Sequence, residues 1–209
     1  MSNDPAAKTV INFDDIEPHH RYTISSGLIV PRPIGWIGSA SSSGRQNLAP
    51  YSFFNLVNGH PPTFVVAPYR GKDTPNNIIE TGEFSVNVVT EETVGAMNAS
   101  AATVGPEVDE FELAGVTAAA CVSIAAPRVA EAVATFECQL TQTVDIGGPN
   151  ADGESGGVLF IGVATHLHLE DRLIDGHHIK PEELRAVGRH AGPNYNTTAD
   201  SLFQLERPA

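Results

Sequence analysis

Arg32–Pro50, RPIGWIGSASSSGRQNLAP, holds two strand signals around a turn. Residues 32–42 read as a strand, Ser42-Ser43-Gly44 as the turn, and Gln46 to Ala49 as the next strand. Working outward, 63–68 (TFVVAP) also reads as a strand. Glu83 to Thr90 alternates Phe84, Val86 and Val88 with smaller polar residues, the period of a half-buried strand. Two long β segments follow, 132–146 and 157–170, separated by GGPNADGESGG (147–157), whose five glycines mark a hairpin tip or loop. Short helices are expected over 19–27, 74–81 and 92–101, and the Ala-rich stretch 117–126 is a connector or short strand. Strands in irregular order with short helices between them do not make a βαβ repeat. They make a mainly β fold, a closed or partly closed antiparallel barrel of Greek-key type with inserted helices.

The 209 residues, 41% hydrophobic, are expected to form one domain with a real core. A net charge of -13 with dispersed cations argues against nucleic acid and against anionic membranes. The N-terminal MSNDPAAKTV lacks the basic and apolar regions of a signal peptide, and no apolar run is long enough to span a bilayer, so a cytoplasmic protein is expected. Cys121 and Cys138 form no CxxC pair and read as reduced residues in or near the core.

Between Asp73 and Asp171 there are sixteen carboxylates and one cation, Arg128, so Arg70 and Lys72 in RGKDTPNN (70–77) stand out. Thr74 suits an N-cap and Pro75 the first helical position. A helix start offers unpaired N–H groups and a positive dipole end, to which the two cations add charge. The octapeptide is therefore either an anion site or a plain helix cap beside solvated cations. It is not a P-loop, because Asp73 intervenes and the upstream glycine is missing, and no GxGxxG follows a strand.

Residues 32–55, RPIGWIGSASSSGRQNLAPYSFFN, and 72–89, KDTPNNIIETGEFSVNVV, together resemble the signature blocks of the flavin reductase-like, FMN-binding split-barrel family. The order continues through FELAG (111–115) to RAVGRHAGPNY (185–195), so the resemblance covers roughly 20–195, leaving 196–209 as a tail. The entry Val30-Pro-Arg-Pro-Ile34 resembles the flavoredoxin-like branch. The resemblance implies a split β-barrel, a homodimer, and FMN near the subunit interface, with FAD as the alternative flavin. It places Ser39 against the isoalloxazine, Asn47, Ala49, Pro50, Tyr51 and Ser52 along the ring and ribityl chain, and Lys72, Thr74 and Asn77 on the phosphate. Arg70, Arg189 and Tyr195 match neighbouring positions. It implies a flavin reductase using NADH or NADPH, with oxygen, a second flavin or a partner monooxygenase as acceptor, or else an electron carrier with little NAD(P)H oxidation of its own. No catalytic side chain is assigned, because hydride transfer to a flavin needs no acid or base.

His166 and His168 share one face of a strand that Glu170 would continue, but no distant third ligand is evident and no metal site is expected. A hydrogen-bonded or exposed pair is the expectation. His177-His178 reads as an exposed pair after an Asp-Gly turn, the alternative being that one of them, or His190 beside Arg189, reaches the mouth of the flavin groove, and Trp36, Phe53 and Phe54 read as core. No GxSxG or other nucleophile arrangement stands out.

Overall fold

The computed structural model describes residues 7–148 and 156–208. After a 3-10 turn at Phe13–Asp15, the chain runs through α1 (Pro18–Leu28), β1 (Arg32–Pro33), β2 (Gly35–Ala40), β3 (Gln46–Tyr51), β4 (Phe54–Gly59) and β5 (Pro62–Val66). Next come α2 (Asp73–Thr81), β6 (Glu83–Val88), α3 (Val94–Ala99), α4 (Glu110–Ala114), β7 (Ala118–Ala119) and β8 (Arg128–Val129). The long hairpin β9 (Ala134–Gly147) and β10 (Gly157–Leu169) leads to β11 (Ile174–Asp175), β12 (His178–Ile179), α5 (Pro181–Leu184), β13 (Val187–Arg189) and β14 (Tyr195–Thr197).

Seven strands form one antiparallel sheet in the order β3-β2-β6-β9-β10-β5-β4. Its two edge strands, β3 and β4, are separated in the chain only by Ser52 and Phe53. Three residue steps span at most ~11 Å, so the sheet curls until its edges meet. The edges are not hydrogen-bonded to each other. The result is a barrel split along one seam, as the strand pattern predicts.

Strand β2 explains the layering. All six of its residues are buried, so both its faces are covered. Ile37 packs inward with Phe64, Val66, Ile78, Phe84 and Phe160, while Trp36 joins Leu48, Val89, Met97, Phe111 and Val129 on the other side. The Trp36 indole N–H donates to Ser100 Oγ at 2.9 Å, which fixes the turn after α3 over β3.

Several boundaries differ from the sequence reading. The strand expected over 32–42 is broken at Ile34, because Arg32–Pro33 pairs with β13 and only Gly35 onward joins the large sheet. The helix expected over 92–101 is only Val94–Ala99, because Thr93 Oγ1 accepts the Thr90 N–H at 3.0 Å and closes a turn there. The expected N-cap at Thr74 moves to Lys72, making Thr74 the second helical residue and Pro75 the third. The Thr74 hydroxyl does not cap the helix, because it is buried against Asn47. Of the loop 147–157, residues 149–155 lie outside the described residues; its flanks Gly147 and Gly157 pair as the hairpin reading requires.

Candidate functional site

A connected set of buried polar groups ties β2, β3 and α2 together. Register places Ser39 opposite Asn47, and α2 packs across β2. Ser39 Oγ accepts from Asn47 Nδ2 at 3.3 Å and from Asn77 Nδ2 at 3.2 Å. Asn47 Nδ2 also donates to Thr74 Oγ1 at 2.7 Å, and Thr74 hydrogen-bonds the Tyr51 hydroxyl. Asn77 sits one turn beyond Thr74 on the same helix face. Pro50 lies on an edge strand, where its missing N–H costs no ladder bond.

Above this network lies a cleft of about 230 Å³, walled by Asn47, Ala49, Pro50 and Tyr51 of β3, the start of α2 from Lys72 to Thr74, Ser100–Val104, Tyr69, and Glu110. A second cleft of about 260 Å³ shares Pro50, Tyr51 and Ala101 and adds Ser52, Tyr22, Ile34, Met97, Asn98, Arg189 and Tyr195. Together they form one groove that runs from the helix start to the barrel seam. At the helix end, the Asn76 N–H makes a helical bond back to the Lys72 carbonyl (3.3 Å), so the N–H groups of Asp73 and Thr74 precede the ladder. Lys72 is exposed, and among the described residues no carboxylate lies within 4.0 Å of its ammonium. At the other end the Arg189 guanidinium donates to the Tyr195 hydroxyl and lies 4.5 Å from that ring's centre.

Burial, reinforced by Asp73 and Asp109, raises the Glu110 carboxyl above its ordinary range. Burial likewise pushes the Tyr51 phenol up to about 12, the Thr74 hydrogen bond offsetting part of it, so Tyr51 is a neutral hydroxyl.

Of the residues singled out in the sequence, Asn47, Ala49, Pro50, Tyr51, Lys72 and Thr74 line the first cleft, and Ser52 and Arg189 the second. Ser39 and Asn77 do not line it; both are buried beneath and orient Asn47 and Thr74. Arg70 does not join them either. Its guanidinium is 3.6 Å from Asp145 and its N–H donates to the Gly156 carbonyl at 3.1 Å, so it belongs to the β9–β10 hairpin. Glu110, Tyr69 and Ser100–Val104 escaped the sequence reading. For Glu110 a local signal existed: Asp109 caps α4 by accepting the Phe111 N–H at 2.8 Å, and Gly115 closes it with φ 68.

The family described as "Flavin reductase like domain" matches residues 26–179. The chain belongs to the flavin reductase-like family. A curated relative of this flavin reductase-like chain from Aquifex aeolicus is 38% identical over 180 residues, 83% of this chain and 88% of the relative. Among solved structures, nitrilotriacetate monooxygenase component B from Bacillus cereus is 34% identical, with TM-score 0.90, covering 96% of this chain and 100% of its own. The 2-nitrobenzoate 2-nitroreductase of Pseudomonas fluorescens is 30% identical, with TM-score 0.86, covering 96% of each chain. A family of this kind implies a flavin, and the groove fits one. A cation beside a helix start suits a phosphate, the Ala49–Pro50 backbone offers close flat packing, and the Asn47–Thr74–Tyr51 groups supply hydrogen bonds between.

The remaining histidines of this flavin reductase-like chain lie outside the groove's lining. His166 and His168 share a face of β10, but Glu170 does not continue it, since β10 ends at Leu169 and the Glu170 carboxylate accepts from Arg172 at 2.6 Å. The His168 partner is Glu137 of β9, at 2.6 Å. Burial alone would raise Glu137, yet hydrogen bonds from Ser123, Val122 and His168 outweigh it and bring its pKa down to about 2. His177 and His178 are exposed at the β11–β12 turn, and the His190 ring contacts Asn196 at 3.2 Å. Trp36 is fully buried; Phe54 packs on the core, stacked 5.7 Å from Phe64, while Phe53 is exposed beside Tyr22 at the seam.

Proposed function

We propose that this protein is an FMN-binding oxidoreductase of the flavin reductase class, with FAD as the alternative flavin. Hydride comes from NADH or NADPH, and the electrons pass to oxygen, a second flavin or a partner monooxygenase. The observation that carries this reading is the continuous groove joining Lys72, which has no ion-pair partner among the described residues, at a helix start to the Ala49–Pro50–Tyr51 wall and opening at the barrel seam. The similarity to a monooxygenase component supports the partner.

Each part of the groove has a task in this reading. Lys72 and the first N–H groups of α2 hold the phosphate, and the Thr74 hydroxyl, oriented by Asn47, adds a hydrogen bond. Ser39 and Asn77 keep Asn47 and Thr74 in place. Pro50 and Ala49 give the tricycle a flat backbone surface, and Tyr51 stays a neutral hydrogen-bonding group. Bound flavin supplies the two-electron chemistry, so the chain's contribution is positioning, electrostatics and water exclusion. We infer a homodimer as the working form, with apolar Leu56 and Val57 on edge strand β4 beside the seam.

The test is anaerobic titration of the purified protein with FMN, followed by NADH or NADPH. Saturable binding and bleaching of the yellow complex are expected. Failure to bind either FMN or FAD overturns the reading, and a yellow complex inert to both nicotinamides assigns a flavoredoxin-like carrier instead.

A further inference from the structure

Cys121, Glu137 and His168 come from three separate places in the chain, and none lines the groove. Their thiol sulfur, one carboxylate oxygen and one ring nitrogen nevertheless lie within 4.8 Å of one another. We propose that these three side chains form a binding site for a single divalent transition-metal ion of the zinc class.

The donor set is chemically apt. Thiolate, imidazole and carboxylate are the three ligand types zinc uses, and three protein ligands with an open fourth position is a recurrent arrangement. A tetrahedral ion with bonds of ~2.0–2.3 Å holds its ligand atoms about 3.5 Å apart. The His168–Glu137 contact of 2.6 Å therefore opens by roughly 1 Å, and the longest separation, at most 4.8 Å, closes by a similar amount.

The anchoring is already built. Glu137 is fully buried and accepts from the Val122 N–H at 2.6 Å, the Ser123 N–H at 2.7 Å and the Ser123 hydroxyl at 2.6 Å. Those bonds pin the segment that carries Cys121, so the carboxylate that faces His168 also sets the position of the thiol. Ligating carboxylates fixed by such outer hydrogen bonds hold their metals more tightly. His168 stands two residues along β10 from the register partner of Glu137, His166, and so on the same face. The His166 side chain is 47% exposed and its Nδ1 is 4.0 Å from Glu137, which marks the entry side, where water completes the coordination. Among the described residues, Cys121, Glu137 and His168 are the group that meets this geometry. The sequence showed only the His-x-His pair, because the other ligands are 29 or more residues away and reach it through β9 pairing and a loop.

Loading forms a metal–sulfur bond and releases the Cys121 thiol proton to solvent, so a weakly buffered solution acidifies. The experiment uses the full chain without an affinity tag, stripped with chelator and titrated with Co²⁺, then Zn²⁺. One Co²⁺ per chain is expected, with a thiolate-to-cobalt absorption band that Zn²⁺ abolishes. Cys121→Ser should remove the band, and His168→Gln, which deletes a ligand, should weaken binding by more than the roughly 10–100-fold typical of losing an outer hydrogen-bond partner, while FMN affinity stays unchanged in both. The unaltered chain decides the matter alone, whatever the variants do to folding. No saturable binding below millimolar metal, or binding without the thiolate band, overturns the proposal.

Discussion

Lys72 and Glu110 face the same cleft with opposite consequences. Lys72 offers a charge-assisted hydrogen bond, worth about 1.5–3 kcal/mol, so Lys72→Ala should weaken FMN binding roughly 10- to 150-fold in a fluorescence titration. An unchanged affinity would remove Lys72 from the site. Glu110 works against the same anion. Its carboxyl is raised by burial first and then by Asp73 and Asp109, so the folded state holds its proton more firmly than the unfolded chain. The stability linked to this group is therefore greatest below the ordinary carboxylate range and is lost as pH rises through the raised value. Glu110→Gln keeps the shape and removes the charge. Urea denaturation should show the variant more stable than the parent at pH 8, with the gap vanishing in acid, and FMN should bind it more tightly. Equal stability at both pH values would refute the assigned cause.

At the scale of elements, the site depends on β2 holding its backbone against the segment before β8. Gly38 pairs with Ser85 of β6, and Ser85 Oγ donates to the Pro127 carbonyl at 2.6 Å. A methyl at position 38 would collide with that carbonyl and with Ser85 Oγ. Gly38→Ala should thus cost ~1–3 kcal/mol, read as a lowered melting temperature, with β2 no longer seating Ser39 under Asn47. The legibility of these elements follows their physics. The β2–β3 turn and β6 were readable because Gly44 marks the turn and Phe84, Val86 and Val88 alternate, both being short-range signals. Strand β4 escaped notice because Leu56 and Val57 are both exposed, leaving no alternation to read. At α2 the local residues suggested Thr74 as cap and Arg70 as a neighbour of the anion site. Partners from distant strands, Asn47 and Asp145, took those two side chains elsewhere. Local pattern carried the frame and most of the groove wall; Glu110 and the β3–β4 seam depended on long-range closure.

The whole molecule presents one edge that a lone copy leaves uncovered. Leu56 and Val57 sit at a register irregularity in the middle of β4, and at 51% and 56% exposure they leave apolar surface uncovered there. β4 is also a sheet edge, with backbone groups free to pair and apolar Phe53 exposed at its start. A second copy with the same surface would cover both features and stand beside the groove. Opposing this, two chains of net charge -13 repel each other. That repulsion reaches across ~30 Å at 0.01 M salt but only ~8 Å at 0.15 M, whereas burial of apolar area is not weakened by this screening. Sedimentation should therefore give a dimer that tightens as salt rises over this range, and Leu56→Glu should shift it to monomer. Because Ser52 and Phe53 join β4 to the groove wall, the same substitution should loosen FMN binding. A parent chain that stays monomeric at high concentration and salt would refute the dimer, and a monomeric Leu56→Glu with undiminished FMN affinity would show that the groove is complete within one chain.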